Sequence, residues 1–214
     1  MIHLKKIVKI QAVDILENTF PDAECELNYN TPFQLLVATI LSAQTTDIKV
    51  NKVTEELFKE YPDVQSFLTL LEIELQDKIK SIGLHKNKAK NILKTCTILM
   101  DKYDGEVPNN REALVELAGV GRKTANVVLS NAFNVPAMAV DTHVFRVANR
   151  IGLVKSKTPD QTEAQLTKFL PMDRWTKTHH LLIWHGRRIC SARKPNCKEC
   201  PIVHICEYKD KNIL

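Results

Sequence analysis

Leu117-Ala118-Gly119-Val120-Gly121-Arg122-Lys123-Thr124-Ala125-Asn126-Val127-Val128 is the stretch on which the reading of this chain turns. An apolar helical pattern runs from Leu114 to Leu117, two glycines interrupt it, and a second periodic run opens at about Arg122 and passes through Val128 and Leu129. Two helices joined by so short a turn form a hairpin. The glycines are expected to let the backbone take conformations that side chains forbid, and to bare the N–H groups that begin the second helix. Those donors suit a phosphate, and with Arg122 and Lys123 beside them the turn can hold one nucleic-acid phosphate without reading a base. Taken alone, the glycine pair is equally a helix C-cap followed by a bend.

On both sides of this hairpin apolar residues recur at helical spacing almost everywhere, as in Phe33, Leu36, Val37, Ile40 and Leu41, or in Ala89, Ile92, Leu93 and Cys96. The expected fold class is all-α. Thr31 stands as an N-cap, with Pro32 in the first helical position and Gln34 three residues after the cap. Further periodic segments open near Ile7, Asp47, Gln65, Asn110, Arg122, Thr142, Thr162 and Trp175, separated by short Gly, Pro, Asn or Asp punctuation. A second, looser helix–turn–helix bends at Ser81-Ile82-Gly83-Leu84. There is no long linker, low-complexity tract or solenoid repeat.

A chain of 214 residues with 44% hydrophobic and 26% charged side chains is composed like a globular protein, which excludes the disordered and fibrous classes. Its net charge of +5 is mild for a nucleic-acid binder, so placement carries more than the total. Lysines 78, 80, 86, 88, 90 and 94 crowd the second turn, and Arg187, Arg188, Arg193, Lys194 and Lys198 lie among the C-terminal cysteines. No run approaches the roughly 18 uncharged apolar residues that span a bilayer. The segment from Met1 to Phe20 is broken by Lys5, Lys6, Lys9, Asp14 and Glu17, unlike a secretory leader.

Four of the six cysteines fall between Cys190 and Cys206, while Cys25 and Cys96 stand apart. That is unlike a disulfide framework and points to a reducing, intracellular compartment. Cys190, Cys197, Cys200 and Cys206 follow the spacing C-x6-C-x2-C-x5-C. Four thiolates this close can enclose one cluster or one metal ion, and tetrahedral zinc stays open on spacing alone.

Two residues carry candidate chemistry. A lysine beside a phosphate-binding turn is by default a point charge. A neutral amine at Lys123 could instead attack a sugar carbon and form a Schiff base, and a helix N-terminus with Arg122 adjacent disfavours the ammonium. Asp141, in Ala139-Val140-Asp141-Thr142-His143-Val144, precedes the periodic run Val144, Val147, Ala148, Ile151 and so occupies an N-cap position. A carboxylate there can also stabilise positive charge developing on a deoxyribose, or help deprotonate Lys123.

The hairpin followed by Val140-Asp141-Thr142-His143 resembles the helix-hairpin-helix, Gly/Pro-rich loop and aspartate signature of the endonuclease III family. The likeness extends over nearly the whole chain, through Pro32-Phe33-Gln34-Leu35-Leu36, Ser42-Ala43-Gln44-Thr45-Thr46-Asp47, His185-Gly186-Arg187 and Cys206-Glu207-Tyr208. Ala118 departs from the proline of many members, which stiffens the turn less and leaves the chemistry untouched. The resemblance implies a two-lobed fold around a DNA-facing cleft, with residues 25–135 as a barrel-like helical domain and 1–24 plus 136–214 as an iron–sulfur domain. It implies a base-excision glycosylase with AP lyase activity, which removes oxidised pyrimidines and cleaves 3′ to the abasic site by β-elimination. Lys123 would be its nucleophile and Asp141 its essential carboxylate.

It further implies a [4Fe–4S] cluster on Cys190, Cys197, Cys200 and Cys206, which would pin the basic loop bearing Arg193 and Lys194 against DNA. Gly119, Gly121 and Arg122 would hold the phosphate. Gln44 and the Leu84-His85 pair would prop the gap left by an extruded nucleotide. By residues alone Leu84 also reads as a helix-end packing residue, and Gln44 is uninformative. The expected protein is a cytoplasmic, nucleoid-associated monomer acting on double-stranded DNA with damaged bases or abasic sites, with no membrane association. Two other readings stay open. One is a monofunctional adenine glycosylase, against which Lys123 and the lack of a further domain after Cys206 argue; the other is a non-catalytic DNA-binding iron–sulfur protein.

Overall fold

The computed structural model describes residues 2–213, with side chains described from Lys6 onward. It is all-helical, with no strand among the described residues. Eleven α-helices follow in order: α1 (Ile2–Thr19), α2 (Pro32–Ser42), α3 (Asp47–Glu60), α4 (Val64–Phe67), α5 (Glu72–Lys78), α6 (His85–Tyr103), α7 (Arg111–Val115), α8 (Arg122–Ala132), α9 (Thr142–Ile151), α10 (Pro159–Phe169) and α11 (Trp175–Arg188). The chain divides into two compact units. One is Cys25–Val135; the other joins the residues up to Glu24 with those from Pro136 onward. No described helix is long and apolar enough to cross a membrane.

In the Cys25–Val135 unit the centre is α2. Every residue from Phe33 to Leu41 is buried, as expected of a helix that is apolar around most of its circumference. Its start follows from its sequence: Thr31 Oγ1 accepts the N–H of Gln34 at 3.2 Å, Gln34 Oε1 accepts that of Asn30 at 2.8 Å, and Pro32 supplies a fixed φ. Helices α3, α6 and α8 pack against it. At one end Phe33, Phe67 and Tyr61 meet edge to face, at centroid separations of 5.2 Å for Phe33–Phe67 and 6.2 Å for Tyr61–Phe67.

In the other unit α9 and α11 form the main contact, with α1 lying on α11 and α10 on α9. The stripe Val144, Val147, Ala148 and Ile151 turns one face of α9 inward, where it joins Ala12, Val13 and Leu16 of α1 and Leu181 and Leu182 of α11 in a single core. Gly186 lets the two main helices approach: a Cβ there would lie 3.1 Å from Val147 Cγ2 and 3.2 Å from His143 Cβ. Arg174 ties α1 at its polar edge, with Asp14 and Glu17 each 2.7 Å away.

Two helices begin earlier than the apolar periodicity indicates. Helix α1 opens at Ile2 rather than near Ile7, and α10 at Pro159 rather than Thr162. For α10 the signal is the pair Thr158-Pro159, which repeats Thr31-Pro32: Thr158 Oγ1 accepts the Gln161 N–H at 3.2 Å.

Candidate active-site hairpin, capped carboxylate and cysteine pocket

The hairpin is built by burying alternate residues of its turn. Leu117 and Val120 point into the core, whereas Gly119 and Gly121 are exposed. Helix α6 supports the turn from below: Thr95 Oγ1 donates to the Ala118 carbonyl at 3.0 Å, and Asn91 lies under Gly119. The N-cap of α8 is Gly121, which has no side chain to bond the first-turn N–H groups. These donors and the positive end of the helix face an exposed surface between Arg122 and half-buried Lys123.

The two glycines are not equivalent, which corrects the expectation that both serve special conformations. Gly119 has φ +78° and a Cβ there would meet Asn91 Nδ2 at 3.0 Å, so backbone and neighbour both demand glycine. Gly121 has φ −94° and ψ 177°, open to any residue, and a Cβ would meet nothing within 4 Å. What glycine supplies at 121 is room in front of the uncapped amides. Gly119→Ala should therefore destabilise the protein by about 1–2 kcal/mol. Gly121→Ala should leave the melting temperature unchanged yet weaken binding to duplex DNA several-fold. Melting curves and binding titrations on both variants check this, and unimpaired binding by Gly121→Ala would remove the amides from the interface.

Asp141 is the N-cap of α9. Its Oδ1 accepts the Val144 N–H at 2.8 Å, and φ −101° with ψ −172° is the extended entry usual for a cap. Capping occupies one carboxylate oxygen of two, so the structural role leaves acceptor capacity for a second. His143 follows on the first turn; burial lowers its basicity, Asp141 partly restores it, and Arg146 and Arg187 oppose protonation. Lys123 belongs to the Cys25–Val135 unit and Asp141 to the other.

Gln44 and Leu84 come together within one unit. Gly83, beside Leu84, would place a Cβ 3.8 Å from the Gln44 carbonyl oxygen and 3.9 Å from Thr45 Oγ1, so the two turns are neighbours. Both residues are exposed and left-handed, with φ 56° at Gln44 and 59° at Leu84. In the second turn the left-handed position falls on leucine and not on the adjacent glycine. With 55% of Leu84 exposed, it is not a packing residue at a helix end. His85, half-buried, is the first residue of α6.

The four clustered cysteines are free thiols that line one cavity with Ile151, Ile189 and Pro195, with an empty volume of about 310 Å³, part of it open to solvent. Among the described residues no group of three or more His, Cys, Asp or Glu gathers closely enough to hold a metal ion. Burial pushes the Cys200 thiol up to about 11 and the Cys206 thiol in the same direction. Four soft sulfur donors around one space, with Cys200 and Cys206 held toward the thiol form until a cation joins them, suit an iron–sulfur core bound as thiolates.

Helix α9 braces this pocket through two residues that the motif reading did not single out. Arg150 donates to the Ser191 and Ala192 carbonyls at 2.7 Å each, approaches Cys190 Sγ at 3.5 Å, and stacks 4.5 Å from the Tyr208 ring centroid. Arg146 donates to the Gly186 carbonyl at 2.9 Å and to the Cys190 carbonyl at 3.1 Å. The signal in the sequence is their i, i+4 spacing on the polar flank of a capped helix. Arg193 and Lys194, in the loop so braced, are exposed.

A glycine hairpin ending in a basic helix without a side-chain cap, with a helix-capping aspartate and a cysteine pocket in an all-helical chain, defines the helix-hairpin-helix class of DNA-repair proteins. Residues 37–172 match the family described as "HhH-GPD superfamily base excision DNA repair protein". Endonuclease III of Haemophilus influenzae is 50% identical over 97% of this chain and 99% of its own length, and that of Bacillus subtilis 49% identical over 99% and 96%. A solved structure described as a trapped endonuclease III–DNA covalent intermediate superposes with a TM-score of 0.91 at 48% identity, covering 94% of this chain and 95% of that one. A thermostable thymine-DNA glycosylase reaches 0.81 at 26% identity, covering 96% and 97%. The chain belongs to the HhH-GPD superfamily and, within it, to the endonuclease III family.

Proposed function

We propose that this protein is a base-excision DNA glycosylase with AP lyase activity, which removes oxidised or fragmented pyrimidines from double-stranded DNA. The observation that carries the reading is the hairpin, where exposed, uncapped amides at the start of α8 adjoin a lysine in its first turn. The hairpin amides and Arg122 hold a backbone phosphate; Gln44 and Leu84-His85 fill the space of an extruded nucleotide. Asp141 stabilises positive charge as the glycosidic bond lengthens. The neutral amine of Lys123 bonds to C1′ as the base leaves and takes up a proton. The sugar ring opens to an iminium between Lys123 Nζ and C1′ as O4′ takes up a proton; a C2′ proton then departs, its electron pair forms the C2′–C3′ double bond, and the C3′–O bond breaks with its pair leaving on the 3′ phosphate. Water then hydrolyses the iminium and returns the amine.

Cys190, Cys197, Cys200 and Cys206 would hold a [4Fe–4S] cluster, which when bound cross-links the loop that carries Arg193 and Lys194 toward the DNA backbone. None of the steps above transfers an electron, so its part is structural. Protein isolated without exposure to air should contain about four irons, and Cys200→Ser should lose them and weaken DNA binding; one equivalent of zinc would replace the cluster with a single-ion site. The protein is placed by this reading in the cytoplasm, as a monomer on the nucleoid.

Incubation of the purified protein with duplexes bearing different damaged pyrimidines, scored separately for base release and strand scission, tests the proposal. Release with scission is expected. Release alone would favour a monofunctional enzyme, and neither would favour a DNA-binding scaffold.

A further inference from the structure

Lys88 is a lysine in the apolar stripe of α6, 4% exposed. Its ammonium donates to the carbonyl oxygens of Leu41 at 2.8 Å and Ala43 at 2.6 Å, and approaches Thr45 Oγ1 at 3.3 Å. No carboxylate shares the site among these contacts. Burying such a group is unfavourable, and burial lowers its basicity. What offsets this is the end of α2: a helix C-terminus presents unpaired carbonyls and partial negative charge, and here one cation serves the last turn and the bend that follows it.

That bend contains Gln44, and α6 starts directly after Leu84. From Leu84 the same face of the helix runs on through Lys88 to Asn91 and Thr95, which hold the glycine hairpin. Of the four non-glycine residues with positive φ among the described residues, two are Gln44 and Leu84. Left-handed backbone at such residues persists only where the surroundings over-determine it. The Lys88 contacts supply that constraint for the first turn from the helix that bears the second.

We infer that Lys88 is a positioning residue for base extrusion, which fastens the Gln44 turn to the Leu84 turn so that the two enter the duplex as one rigid wedge. This rests on the glycosylase reading above. A wedge that flexes would grip the backbone normally but fail to keep the vacated stack open.

The test is a double-mutant cycle on the full-length protein, Lys88→Met against Gln44→Ala. Each is assayed for single-turnover release of a damaged pyrimidine, affinity for undamaged duplex, and fluorescence of 2-aminopurine opposite the lesion. Lys88→Met should slow base release about tenfold and lose the 2-aminopurine signal while binding undamaged duplex within about twofold of the parent. Added to Gln44→Ala it should slow release by less than twofold more, because both changes disable one device. Lys88→Gln, which keeps a donor, should recover part of the rate.

If Gln44→Ala and Leu84→Ala both release base at the parental rate, the wedge itself is wrong. If they are slow but Lys88→Met is not, or if Lys88→Met multiplies independently with Gln44→Ala, the positioning role is overturned. Should Lys88→Met melt too low to assay, Thr45→Val removes one acceptor and runs through the same cycle at smaller amplitude.

Discussion

Lys123→Gln should give a folded protein that binds duplex DNA but forms no borohydride-stable cross-link, with strand scission slowed on the order of 10³-fold or more, the scale on which loss of a catalytic nucleophile acts. Glutamine matches lysine in helix propensity, and position 123 is half-buried in the first turn of α8, so the melting temperature should stay close to the parent's. Affinity should fall only modestly, because the backbone amides and Arg122 stay in place. The measurement is denaturing electrophoresis after reduction with borohydride on a duplex carrying a damaged pyrimidine. A covalent species in the glutamine variant would show that another amine does the work.

The second large effect is expected at Asp141, where two substitutions separate two roles. Asparagine caps a helix as well as aspartate does, so Asp141→Asn should keep the bond from the Val144 N–H and the stability of α9. It removes the negative charge, and base release should fall on the order of 10²–10³-fold, as when a stabilising partner of a developing charge is lost. Asp141→Ala loses the cap as well, at about 1 kcal/mol, and should lower the melting temperature by about 2–4 °C. Single-turnover kinetics beside thermal melts on the pair tell the roles apart. Full activity in the asparagine variant would reduce Asp141 to a cap.

Several features are legible in the sequence because each rests on chemistry local to the chain. Thr31-Pro32-Gln34 states a helix start in three residues, Gly119 states a left-handed turn, and the cysteine spacing states one pocket. The onset of α10 was misplaced because its first turn carries Asp160 and Gln161, whose polarity hides the Thr158-Pro159 signal from a search for apolar period. Lys88 stands in the basic stretch that crowds the second turn. Its place four residues before Ile92 sets it on the apolar stripe of α6, unlike Lys86 or Lys90, but the partner for its charge is the end of α2, more than forty residues earlier. Arg146 and Arg150 escaped for the same reason, since the carbonyls they hold lie about forty residues downstream. Likewise the two hairpin glycines look alike in sequence, and their different φ angles and the Asn91 beside Gly119 alone belong to the folded chain.

Helix α1 packs on α11. These helices stand about 160 residues apart in the chain, yet the apolar face of α1 has its partners in the second. At a synthesis rate of roughly 5–20 residues per second, the nascent amino-terminal segment waits about 10–30 s before its companion leaves the ribosome, while Cys25–Val135 is already complete. During that interval Val13 and Leu16, fully buried in the folded protein, lack the α11 residues that share their core, so this unit closes only after the half that bears the hairpin has been made.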